Sequence, residues 1–115
     1  MTVDGSEEYA VVLTTAGSRE QASMLARALV LRRLAACVNI VGPVRSVYRW
    51  KGPIADDEEH LLIVKTRKDL AGEVAAAVRA LHSYELPEVL VLPVLGGDPD
   101  YLAWLGGSVN PETEG

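Results

Sequence analysis

The chain has 115 residues and a formal net charge of −5 at pH 7, a length that fits one domain and leaves no room for a second. No apolar run approaches the roughly 20 residues that cross a bilayer. The acidic balance does not suit nucleic acid or an anionic membrane, both of which attract clustered Lys and Arg. The single cysteine, Cys37, excludes an internal disulfide and fits a reducing compartment. The acidic start Met1–Glu8 lacks the basic and apolar regions of a secretory signal, so a cytoplasmic location is expected.

Tyr9–Thr15 (YAVVLTT) is a β-branched run ended by Ala16-Gly17 and reads as a buried strand. Ser18 and Gln21 have the spacing of a capping box. The helix they open carries its apolar stripe on Ala22, Leu25, Ala26 and Leu29 and is expected to run to about Leu34. Arg32 and Arg33 then fall at its end, where they complement its dipole. Ala36–Trp50 returns to extended character, and Pro43, which cannot donate to a ladder, predicts a bulge or an open edge. Lys51-Gly52-Pro53 begins a turn expected to continue through Asp56-Asp57. His60–Thr66 is the next strand, completing a long hairpin.

Asp69 is the expected N-cap of a second helix with its stripe on Leu70, Val74, Ala77, Val78 and Leu81. Pro87 cannot continue it, and Glu88–Leu95 is read as a fourth strand. Asp98-Pro99 puts a capping residue before proline at the first position of a short helix, which Gly106-Gly107 is expected to stop. The order β-α-β-β-α-β plus a short C-terminal helix predicts an α+β, ferredoxin-like antiparallel sheet with both helices on one face. The domain is placed at 9–107, between a flexible segment 1–8 and a flexible tail 108–115. An uncovered apolar sheet face in so small a domain predicts oligomerisation.

No CxxC, HExxH, GxSxG, Walker or GxGxxG pattern is present. One Cys and two His cannot close a tetrahedral Cys/His zinc site, so a metal would have to recruit carboxylates or a second subunit. Cys37 reads either as a small buried hydrophobe or as a soft ligand, with Asn39 on the same strand face. His82-Ser83-Tyr84-Glu85 places an imidazole, a hydroxyl, a phenol and a carboxylate in one helix-to-strand corner. It is either a plain helix terminus or one wall of a small-molecule or metal site. The run Asp56–Glu59 reads as a solvated turn, or as a weak hard-cation surface. Lys65 ends an apolar strand face and either snorkels or pairs with an acid such as Glu59. Tyr48, Trp50, Tyr101 and Trp104 are expected as core or interface anchors.

Five segments carry a family resemblance: Leu34–Asn39 (LAACVN), Ser46–Trp50 (SVYRW), Glu59 through Lys65-Thr66, His82–Glu88 (HSYELPE) and Tyr101–Trp104 (YLAW). In this order and spacing they resemble the CutA family, the divalent-cation tolerance proteins, from about Val11 to Trp104. One departure is Ser83, where that family typically has proline; no candidate ligand is lost by it. The resemblance implies a tight homotrimer in which long hairpins extend the sheet between neighbours. It implies divalent-cation binding, copper first, with Cys37 and His82 as ligands and Glu59 as the recruited carboxylate. The trimer would resemble that of the PII signalling proteins, so clefts between subunits could hold a small effector, metabolite or nucleotide. Asn39, Trp50, Lys65, Tyr84 and Glu85 would line such clefts. Neither the resemblance nor the sequence brings an organic cofactor or a catalytic activity, and a non-enzyme is expected.

Overall fold

The computed structural model describes residues 8–110. Strands β1 (Tyr9–Ala16), β2 (Cys37–Arg49), β3 (Ile54–Arg67) and β4 (Leu90–Pro93) form one sheet in the order β2-β3-β1-β4, antiparallel throughout. Helices α1 (Arg19–Leu31) and α2 (Ala71–Leu81) cover one face, and α3 (Pro99–Ser108) follows β4. This is the ferredoxin-like arrangement expected from the element order. The core follows the strand period of two. Val12, Leu62 and Val64 point to the helices and meet Leu25, Leu29, Val74 and Val78 in one buried cluster. Val11, Leu13, Leu61 and Ile63 point the other way, to the face that α1 and α2 leave open, and are only half-buried; α3 meets that side at Tyr9 through Gly106.

Several boundaries differ from the sequence reading, each for a local reason. Ser18 caps α1 by accepting from Gln21 N (3.1 Å), but the Gln21 side chain reaches Leu81 O at the end of α2 instead of returning to the cap. Helix α1 stops at Leu31. Arg33 then takes a left-handed φ of 57°, turning Leu34 and Ala35 into the core, so Arg32 and Arg33 lie beyond the last helical turn. Asp56–Glu59 belong to β3, not to the turn. Their charge is accommodated across the hairpin, where Arg45 grips Asp56 with two bonds (2.8 and 2.5 Å) and Tyr48 donates to Asp57 (2.5 Å). That pairing holds the Asp56 carboxyl below its usual range. The connection shrinks to residues 50–53, where Lys51 and Gly52 adopt positive φ. Pro43 sits at the expected bulge, between Val41 and Val44.

Asp69 is not a helix cap. It accepts two bonds from Arg67 (2.9 and 2.6 Å), and a 3-10 turn over Lys68–Leu70 leads into α2. The fourth strand is shorter than Glu88–Leu95, because the ladder with β1 covers Leu90–Pro93, followed by a single bond from Val94 N to Tyr9 O (3.2 Å). Asp98 caps α3 as expected, accepting from Tyr101 N (3.0 Å). Gly106 and Gly107 do not stop that helix. Gly106 lies against Tyr9, whose hydroxyl is 3.2 Å from where a Cβ would stand, and the helix runs on to Ser108. Packing continues past the expected boundary at 107: Val109 is fully buried and Asn110 N donates to Arg33 O (3.2 Å). The remaining residues of the segments expected to be flexible, 1–7 and 111–115, lie outside the described residues.

Candidate binding cleft

The His82 corner is built by the end of α2 running over the end of β1. Tyr84 N donates to His82 Nδ1 (3.0 Å), so that nitrogen must be the acceptor. The ring proton therefore sits on Nε2 and is donated to Thr15 O (2.6 Å). Both imidazole nitrogens are engaged, and the His82 and Tyr84 rings lie 4.5 Å apart. This fixes the phenol of Tyr84 over Gly17, where a Cβ would stand 2.8 Å from the hydroxyl; glycine is required for the approach. The hydroxyl then donates to Glu59 Oε2 (2.7 Å).

Glu59 lies on the uncovered sheet face opposite Val44 and is only 8% exposed. The Tyr84 bond is the one hydrogen bond its carboxylate makes among the described residues. Glu59 lines a cavity of about 600 Å³ whose other walls include Tyr48, Trp50, Tyr84, Glu85 and Glu88. At the rim, Lys51 Nζ lies 3.4 Å from both Glu85 carboxylate oxygens and 5.3 Å from the Trp50 ring centroid. Three of the expected cleft residues, Trp50, Tyr84 and Glu85, thus meet Glu59, the expected metal carboxylate, in one place. Lys51 and Glu88 lie outside the expected set because in the sequence they read as the start of a turn and the start of a strand.

Partial burial and the bond to Glu59 raise the Tyr84 phenol well above its ordinary pKa of 10.0, and the bond to Asp57 raises Tyr48. Two of the four tyrosines should therefore resist ionisation in an ultraviolet alkaline titration. A raised folded pKa means stability contributed below about pH 10 and lost as pH rises further. Denaturation midpoints should fall in that range, and fall less in Tyr84→Phe. Equal slopes for wild type and variant would refute the Glu59 bond as their source.

Asn39, Lys65 and Cys37 are elsewhere. Lys65 Nζ donates to Asn39 Oδ1, so its partner is Asn39 and not Glu59, and Cys37 stands opposite Lys65 in the β2–β3 register. Lys65 lies six positions along β3 from Glu59, about 20 Å at the strand rise. Cys37, Glu59 and His82 do not converge within one chain. Among the described residues no group of three or more His, Cys, Asp or Glu side chains is placed to hold a metal ion. Tyr101 and Trp104 pack on each other on α3 (centroids 5.5 Å apart), about half exposed and apart from the cleft.

An antiparallel ferredoxin-like sheet with a bare apolar face and a polar corner at one end defines the class: a small α+β domain. The particular family follows from comparison. Residues 10–108 match the model of the CutA1 divalent ion tolerance protein, and the chain belongs to that family. It is 48% identical over 95 residues to the divalent-cation tolerance protein CutA of Thermus thermophilus, covering 83% of this chain and 92% of that one. It is 47% identical over 98 residues to the chloroplastic protein CutA of Arabidopsis thaliana, covering 85% of this chain but only 54% of that protein's length. It also resembles the solved structure of the periplasmic divalent cation tolerance protein CutA of Archaeoglobus fulgidus, with a TM-score of 0.86 and 37% identity over 89% of this chain and 99% of that one. No described helix is long and apolar enough to cross a membrane.

Proposed function

We propose that the chain is a non-enzymatic homotrimer that takes part in divalent-cation tolerance, in the cytoplasm, with copper or another divalent ion held between chains. The observation that carries the trimer is the bare sheet face. Val41, Leu90 and Leu92 are each about half exposed there, beside the half-buried Leu13, Leu61 and Ile63. The outer edges of β2 and β4 are also unpaired in the sheet. A lone domain rarely leaves such a surface in water, and open edges invite strand pairing. The hairpin overhang with Tyr48 and Trp50, and the Tyr101–Trp104 pair on α3, supply aromatic anchors for the same association.

The metal reading draws on what the relatives are called, and the chain's own geometry restricts it. His82 has both ring nitrogens engaged within the chain. Cys37, half-buried on the bare face, is the donor a neighbouring chain could most readily complete. Light scattering at micromolar concentration should give three times the chain mass of 12.4 kDa, and copper titration should give a saturable uptake that weakens in Cys37→Ala. A single-chain mass would sink the trimer. Uptake unchanged by the substitution would remove Cys37 as a ligand.

A further inference from the structure

We propose that the outer face of α1 is a docking site for an acidic segment of a partner protein, with one apolar side chain of that segment seated between α1 and β2. The seat is an open groove of about 300 Å³ lined by Ala26, Arg27, Val30 and Leu31 of α1 and by Val38 of β2. Val30 and Leu31 are 43% and 68% exposed, and Met24, also exposed, shares an outward row with Arg27 and Leu31. The buried stripe of α1 is already complete in Ala22, Leu25, Ala26 and Leu29, so the core does not need Met24, Val30 or Leu31. A helix face that meets only water is normally polar.

The charge around the groove sets the kind of partner. Residues 19–33 hold four arginines, Arg19, Arg27, Arg32 and Arg33, and one acid, Glu20, although the chain carries −5 overall. None of the four guanidinium groups makes a hydrogen bond or ion pair among the described residues. Three arginines elsewhere are taken up, Arg45 and Arg67 by carboxylates and Arg49 by the Gly52 carbonyl. Arg33 stands at a left-handed φ of 57°, a position that favours glycine, so local backbone preference does not explain arginine there. Free guanidinium groups take carboxylates through paired hydrogen bonds, and an apolar seat beside them selects an acidic segment with one apolar anchor. A groove for a single side chain fits a peptide better than a lipid surface, which needs a broad apolar face. The site lies on the helix side of the sheet, opposite the face proposed to be shared between chains. Val38 points to that side, against the core cluster.

The test is fluorescence anisotropy of a labelled acidic peptide, DEELLDEE, titrated with the intact protein at low salt. Beside it stand DEESSDEE, which lacks the apolar anchor, KKKLLKKK, which reverses the charge, and vesicles of phosphatidylserine. Saturable binding is expected for DEELLDEE, about tenfold tighter than for either other peptide. Arg27→Gln should weaken it up to about fivefold, the loss of one exposed ion pair. Leu31→Glu, which puts a carboxylate at the seat, should weaken it more than about tenfold, with the mass by light scattering unchanged. Both variants are on the surface and leave the core intact. Absence of saturable DEELLDEE binding, equal binding of DEESSDEE, vesicles bound in place of the peptide, or an affinity unmoved by both substitutions would overturn the proposal. So would a lower mass in Leu31→Glu, which would show the groove covered by a second copy of the chain.

Discussion

Leu25→Ala should cost the fold about 3–5 kcal/mol, the range for a leucine truncated in a core that cannot collapse around the gap. Leu25 is 0% exposed and lies in the middle of α1, on the stripe that meets Val12, Val64 and Val78. It is held on two sides, by the sheet and by α2, so little relaxation is available to fill the cavity. Leu31, on the same helix and 68% exposed, is the control: Leu31→Ala should change stability by less than about 0.5 kcal/mol. Both are read from denaturant midpoints at one fixed protein concentration, because association would add to the apparent stability. Equal losses at the two positions would contradict the helix face assigned here.

Leu92→Glu should dissociate the proposed trimer while leaving the chain folded. Leu92 sits on the edge strand β4, opposite Val11 on the bare face, and is 45% exposed. In a single chain a carboxylate there stays in water and costs little. Buried against a neighbour, it would be desolvated without a cation, a penalty of several kcal/mol. Light scattering should therefore fall toward the single-chain mass at micromolar concentration, with helical circular dichroism retained. Leu31→Glu, on the helix side, should leave the mass unchanged. A mass unaffected by Leu92→Glu would place the contact surface away from β4.

Much of the fold was legible because its signals are local. Ser18 and Asp98 cap their helices as their spacing requires, since a cap is a contact between residues three apart. Pro43 marks its bulge because a missing N–H acts at its own position. The misreadings have the opposite character. Asp56–Glu59 look like a turn until Arg45 and Tyr48 on the facing strand are known. Asp69 looks like a cap, but Arg67 claims its carboxylate and holds its pKa down. Gly106-Gly107 look like a stop until Tyr9 is seen against the helix.

The candidate site divides along the same line. The density of chemistry at His82–Glu85 was visible in the residues, and so was the pairing of Cys37 and Asn39 on one strand face, because a strand alternates with a fixed period. Which of these groups meet was decided by tertiary structure alone. Tyr84 reaches Glu59 across 25 residues of sequence, and the β2–β3 register carries Cys37 away to Lys65. That register follows from which strand face is buried against α1 and α2, and a shift of one residue would turn every side chain over. Periodicity, capping and the uncovered apolar face are thus properties of the amino-acid sequence. The closed ring nitrogens of His82, the buried carboxyl of Glu59 and the cleft between them exist only once long-range packing has chosen the register.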